Sequence, residues 1–195
     1  MSILGDYRVI ELADERGQLA GSVLASLGAE VITVEPPGGS HSRTLGPFAD
    51  DVVSPDTSLW HWSYNRGKKS VVLDLDTADD RDKLLALIDG ADIVIEAYGP
   101  GVLDTLGLSY EAMSERNPAR IHLSISAGGD DGPKALWEAT DLTIMASGGQ
   151  MSLAGDLDRA PVRIPLDQAY LHVSSEAVGA ALIALYERQH NSGLG

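Results

Sequence analysis

The sequence contains no cysteine, which excludes disulfides, thiolate metal sites and a thiol nucleophile. Basic residues are scarce as well: 14 Lys and Arg stand against 29 Asp and Glu, for a formal charge of −15. A chain this acidic lacks the basic face that general nucleic-acid or anionic-membrane binding needs, so neither is an expected partner. An anionic small molecule is compatible with the charge only where local clusters of Arg, Lys and backbone N–H groups build its site. Neither a long apolar run nor a basic, hydrophobic leader near Met1 stands out, so a cytoplasmic chain that does not enter a membrane is expected. Repeats and low-complexity segments are missing too. What is present is 44% apolar content over 195 residues, enough for one sizeable core and hence one domain over 1–195.

The most legible stretch is Tyr7–Pro37. Val9, Ile10 and Leu12 mark one strand, and the β-branched run Val31-Ile-Thr-Val34 marks a second, stopped by Pro36-Pro37-Gly38-Gly39. Between them Leu19, Val23, Leu24 and Leu27 recur at helical spacing, and Gly28 stands where a helix C-terminal glycine belongs. Strand, helix and strand with short links form a βαβ unit, whose strands are parallel and joined right-handedly. The first βα turn, Ala13–Gln18, carries Gly17 but not the spaced glycines of a dinucleotide fingerprint, which argues against nicotinamide or flavin binding. Glu35 then reads as a solvated strand end.

Farther on, Gly38–Leu59 is polar and without period, a long loop whose only basic residue is Arg43. Trp60–Ser70 reads as an aromatic, Gly-kinked basic loop leading into a strand at Val71–Leu75. Such a loop either stacks an adenine and pairs phosphates, or is a core edge with a solvated turn. Thr77–Asp89 is an amphipathic helix with Thr77 as N-cap and Leu84, Leu85, Leu87 and Ile88 as its apolar face. A strand at Ala91–Glu96, two short helical pieces at Val102–Leu106 and Tyr110–Arg116, and a strand at Ile121–Ser126 follow. His122, on the polar face of that last strand, reads as a satisfied or exposed histidine. Ala127–Pro133 is a Gly-rich loop, Glu138–Gly149 a helix, and Met151–Ile164 turn and short strand. Gln168–Gln189 is a long helix, apolar nearly all round and therefore expected to be buried, with Ala177, Gly179, Ala180, Ala181 and Ala184 allowing close packing. The order predicts an α/β fold, a Rossmann-like, mostly parallel open sheet with helices on both faces.

Several segments together resemble the family III CoA-transferases, which include the formyl-CoA and carnitine CoA-transferases and the α-methylacyl-CoA racemases. They are Gly28–Gly38 (Gly-Ala-Glu-Val-Ile-Thr-Val-Glu-Pro-Pro-Gly), Asn65–Leu75, Ala91–Glu96 with Gly99-Pro-Gly101, Leu106–Glu111, Asn117-Pro118 and Ser124–Ser126. Asp131-Gly-Pro133, Asp141-Leu142, Ser147-Gly148 and Ala180–Arg188 with Ser192-Gly193 complete the series, in the family's order and spacing. The resemblance implies that coenzyme A is moved from an acyl-CoA to a carboxylic acid acceptor through a covalent aspartyl intermediate. It places the nucleophile at Asp167; the residues alone equally allow Asp167 as N-cap of the helix that begins at Gln168. Gln18, Arg43, Asn65, Lys68 and Tyr98 fall at cofactor-binding positions, and no metal is implied. Gly128-Gly129 or Gly148-Gly149 would give oxyanion donors. The family's chains are about twice as long and carry a second, smaller domain absent here. A fragment, or a subunit completed by a complementary half in a homodimer or hetero-oligomer, is therefore expected. The alternatives are a non-catalytic CoA-binding subunit, or an acyl-CoA racemase, for which Thr140 stands where the histidine of the racemases' His-Asp pair would be.

Overall fold

The computed structural model describes residues 2–195, apart from the side chains of Asn191 and Ser192. Its strands are β1 (Arg8–Leu12), β2 (Glu30–Glu35), β3 (Lys69–Val72), β4 (Ile93–Glu96) and β5 (Ile121–Ser124). Its α-helices are α1 (Gln18–Ser26), α2 (Leu59–Asn65), α3 (Ala78–Asp89), α4 (Val102–Thr105), α5 (Tyr110–Arg116), α6 (Asp141–Ser147) and α7 (Gln168–Glu187). Among the described residues the strands form one all-parallel sheet in the order β3-β2-β1-β4-β5. That is the Rossmann-like α/β fold expected. The chain winds outward from β1 to β3, returns, and winds the other way through β4 and β5, so the order reverses between β1 and β4.

Period-2 alternation sends the strand side chains into two separate cores. Val9, Val31, Ile93, Ile95 and Ile121 pack with Ala20 and Leu24 of α1 and with Val178, Ala181 and Leu185 of α7. On the opposite face Ile10, Leu12, Val34 and Val94 meet Leu84 and Ile88 of α3, Leu103 of α4 and Met113 of α5. Burying each such Leu or Ile stabilises the fold by about 1.5–3 kcal/mol. α3 starts as its sequence requires: the Thr77 side chain accepts from the Asp80 N–H, and Asp79 and Asp80 sit in the first turn.

Four local expectations are corrected. The stretch read as an aromatic loop contains α2, because the Ser58 side chain caps it by accepting from the His61 N–H. The third strand is Lys69–Val72, two residues ahead of the apolar run: Leu73 turns into the core, and the next backbone N–H, of Asp74, goes to the Asp80 carboxylate. Met151–Ile164 holds a 3₁₀ turn at Gln150–Leu153 and no strand among the described residues. Finally, α7 is buried along one face only, through Ser174, Val178, Ala181 and Leu185, while Ile183 and Tyr186 are 72% and 63% exposed. Among the described residues, Gln168–His190 is long and apolar enough to cross a membrane by length and composition, with a mean hydropathy of 1.2. Ala177, Ala181 and Ala184 on its covered face pack in the same core cluster as Ala20 and Leu24 of α1, while most of the helix is not buried.

Candidate functional site

A buried polar network lies beneath α1, on the face of the sheet that carries α7. Glu11 is completely buried on β1, where its neighbours along the strand are core residues. The Lys68 ammonium donates to both its oxygens (2.9 and 2.7 Å), to the Gln18 carbonyl (2.8 Å) and to Asn65 Oδ1 (3.1 Å). The Thr33 hydroxyl donates to Glu11 Oε2 at 2.7 Å. Room for the pair depends on Gly21 of α1, where a Cβ would come within 2.0 Å of Glu11 Oε1. Burial pushes the Glu11 carboxyl up and the Lys68 ammonium down, each shift opposed by the other's charge.

The network continues to the surface. Gln18, fully buried, donates through its amide to the Ala13 carbonyl (3.3 Å) and to Ser40 Oγ (3.1 Å), and accepts from Asn65 Nδ2 (3.1 Å). Glu35 is buried rather than the solvated strand end expected: Arg43 holds it with two bonds of 2.6 and 2.8 Å, which keep its carboxyl at about 2. Arg43, Asn65, Lys68, His61 and Trp62 line a cavity of about 470 Å³ at the outer edge of the sheet. Burial, reinforced by the nearby Arg43, pushes the His61 imidazole down.

A second cavity, of about 630 Å³, opens beyond the carboxyl ends of β4 and β5, beside the reversal of strand order where open α/β sheets bind ligands. Arg16, Tyr98, Ile125, Trp137 and Tyr170 line it. Arg16 is tied to Asp14 by two bonds of 2.8 Å. Burial raises the hydroxyl pKa of both tyrosines. For Tyr170 the nearby Arg16 opposes that shift, and the carboxylates of Asp14, Asp141 and Asp167 add to it. Gly128 and Gly148 both line an adjoining cavity of about 610 Å³, which shares Trp137 with the 630 Å³ cavity.

Asp167 stands at the N-cap position of α7, yet its side chain makes no capping hydrogen bond and is 41% exposed. The capping is done from another element. Asp141, at the start of α6, is buried, and its Oδ1 accepts the Ala169 N–H at 2.7 Å. Its Oδ2 is enclosed without a hydrogen bond. Arg163 lies between the two acids, with Nη2 3.1 Å from Asp167 Oδ1 and 3.6 Å from Asp141 Oδ2.

The site residues marked by sequence therefore fall into two groups. Gln18, Arg43, Asn65 and Lys68 share one network under α1 and α2, with Gln18 enclosed and both cations already paired to carboxylates. Tyr98 lines the crevice, and Asp167 lies one helical turn from Tyr170 on its wall. Sequence reasoning missed Glu11, Arg16, Tyr170 and the pairing of Arg163 with Asp141. The only prior signal among these was Glu11, a carboxylate interrupting an apolar strand. The short helix-opening pair Thr140-Asp141 is placed by a capping box between Thr140 and Thr143.

Comparison with known proteins agrees with this architecture. The family model for CoA-transferase family III matches residues 4–195. The succinyl-CoA:(R)-benzylsuccinate CoA-transferase subunit BbsE of Thauera aromatica is 37% identical over 94% of this chain and 45% of its own length. The succinyl-CoA–D-citramalate CoA-transferase of Chloroflexus aurantiacus is 36% identical over 96% of this chain and 46% of that protein. The crystal structure of a CAIB/BAIF family protein from Brucella suis superposes with a TM-score of 0.89 at 36% identity, covering 97% of this chain and 50% of that one. The chain thus spans about half the length of the relatives it matches. Over that span it belongs to CoA-transferase family III.

Proposed function

We propose that this chain forms the acyl-CoA-binding half of an enzyme that moves coenzyme A from an acyl-CoA to a carboxylic acid, with Asp167 as the covalent nucleophile. One observation carries the reading: a half-exposed carboxylate, free of the capping bond its position invites, stands one helical turn from a crevice at the carboxyl ends of the strands. In the first step an Asp167 oxygen attacks the thioester carbonyl. The C–O bond forms, the C–S bond breaks, and the electron pair leaves on sulfur as CoA thiolate. The thiolate then attacks the aspartyl carbonyl of the mixed anhydride, releasing the donor's acid as a carboxylate and leaving CoA on Asp167. An acceptor carboxylate runs the two steps in reverse. Gly128 and Gly148 line the cavity adjoining the crevice, and in this reading their loops are the candidate oxyanion donors.

In this reading Tyr98 and Tyr170 flank the thioester arm, and the nucleotide end of CoA lies against the cavity of Arg43, Asn65 and Lys68. Because Lys68 is bound to Glu11, it and Gln18 act by shaping that wall, while Arg43 and Asn65 present the nearer polar edges. Residues equivalent to the half of the relatives that this chain does not span would complete the site, from the same polypeptide or from a partner in a dimer or hetero-oligomer. The exposed Ile183 and Tyr186 on α7 are a candidate contact for them. A non-catalytic CoA-binding subunit is the second reading, favoured by the fact that one relative is itself named as a subunit.

The test is transfer from succinyl-CoA, the donor named in several relatives, to a panel of dicarboxylic and monocarboxylic acids. Turnover with a protein-bound acyl or CoA adduct supports the enzyme; CoA binding without either supports the subunit.

A further inference from the structure

The arrangement of Asp141, Arg163 and Asp167 goes beyond a nucleophile at a helix start. A buried carboxylate with one oxygen unbonded is costly, and here a cation stands just outside hydrogen-bond range of it. The same guanidinium nitrogen holds Asp167 by a single oxygen, Oδ1, and no hydrogen bond to Asp167 Oδ2 occurs among the described residues. One cation thus serves two acids, one buried and fixed to the α7 N-terminus, the other half-exposed. Leu166, in the left-handed region at φ 67°, turns the chain into Asp167, whose side chain makes no hydrogen bond to the start of α7.

We infer that Arg163 is the positioning residue of the nucleophile. It fixes Asp167 through Oδ1, which leaves Oδ2 to attack, and Asp141 keeps the guanidinium in place when the charge on Asp167 is gone. The inference rests on the reading of Asp167 as nucleophile. When Oδ2 bonds to the acyl carbon, the negative charge leaves the site on the CoA sulfur. Arg163 then has one nearby carboxylate instead of two, and its 3.6 Å approach to Asp141 Oδ2 can shorten to a hydrogen bond. When the acceptor's cycle restores the aspartate, the contact with Oδ1 returns. Asp141 is suited to this role because its other oxygen is fastened to the Ala169 N–H and cannot follow the cation.

The experiment compares wild type with Arg163→Gln, Arg163→Lys and Asp167→Asn in the complete active protein, using succinyl-CoA as donor. Three quantities are read: kcat and KM, melting temperature, and the rate at which hydroxylamine traps an adduct on Asp167, located by mass spectrometry. We expect Arg163→Gln to lower kcat and the trapping rate about 10- to 100-fold, the cost of a misplaced reacting group, with KM for succinyl-CoA changed less than about threefold. Arg163→Lys should recover a large part of kcat, and melting should shift little in either variant. The proposal is overturned if Arg163→Gln keeps kcat within about twofold, if only KM rises, or if kcat falls together with melting temperature and lysine restores neither. Normal trapping in both wild type and Arg163→Gln removes Arg163 alone. Failure to trap any adduct on Asp167 in wild type removes the nucleophile reading, and this proposal with it.

Discussion

Glu11 and Asp141 are both buried acids, and they are treated in opposite ways. Glu11 has a dedicated lysine bonded to both oxygens, a threonine bonded to one, and no access to either cavity. Asp141 has one oxygen satisfied by a helix N–H, the other unbonded, and a cation that is half exposed and divided between two acids. The first arrangement locks β1, α1 and the α2–β3 loop to one another. The second leaves one buried carboxylate oxygen without a hydrogen bond and a cation shared between two acids. In the proposed mechanism that incomplete pairing is where charge moves.

The largest expected effect comes from breaking the complete pair. Lys68→Met leaves Glu11 buried without its cation and should cost roughly 3–5 kcal/mol in denaturant unfolding, while the double change Glu11→Leu with Lys68→Met should recover most of that loss. A small loss in the single variant would show that the pair is not structural and return Lys68 to direct ligand contact.

Next is Arg43→Ala. Glu35 is held at about 2 against an ordinary 4.5, chiefly by its bonds to Arg43, so it contributes stability that is fully present above pH 4.5 and lost as pH falls toward 2. Without Arg43 that contribution shrinks by about 2 kcal/mol, and the midpoint of acid unfolding should move to higher pH. An unmoved midpoint would show that Glu35 is not held by this contact.

Asp141→Ala removes the acceptor for the Ala169 N–H and should cost about 1 kcal/mol, with amide exchange in the first turn of α7 accelerating. Unchanged protection at Ala169 would mean the helix start is held some other way. Smallest of all, Asp167→Asn should alter stability by less than about 0.5 kcal/mol, because Asp167 makes no capping bond. A melting loss as large as that of Asp141→Ala would reverse the assignment of cap and nucleophile.

The sheet was legible because its elements advertise themselves locally. Val31–Val34 stops at two prolines, and Thr77 with Leu84 and Ile88 specifies both the cap and the buried stripe of α3. α2 was hidden because its covered face is made of Trp60, His61 and Tyr64, aromatic rather than aliphatic residues in a run of only seven, and its clearest sign is Ser58. For α7 the composition is apolar on all sides, so only packing on α1 decides which face is covered. Asp167 is singled out by resemblance alone, since family motifs are written along the chain, and its role remains the proposal. The long-range pairs around the candidate site are not written there: Glu11 and Lys68 lie 57 positions apart, and Asp141 reaches Ala169 across 28. Contacts of that separation exist only once the sheet has brought the loops together. The same holds for the two committed cations, Arg43 and Lys68, whose carboxylate partners cannot be read from a basic loop.

The central claim is that Asp167 carries the transferred group. Incubating the complete protein with succinyl-CoA and hydroxylamine, followed by peptide mass spectrometry, tests it most directly. The account predicts a hydroxamate on Asp167 in wild type, none in Asp167→Asn, and a fall in transfer rate of several orders of magnitude in that variant with its fold intact. A modified Asp141 or Glu176 instead, or an Asp167→Asn protein that keeps most of its transfer rate, would contradict it.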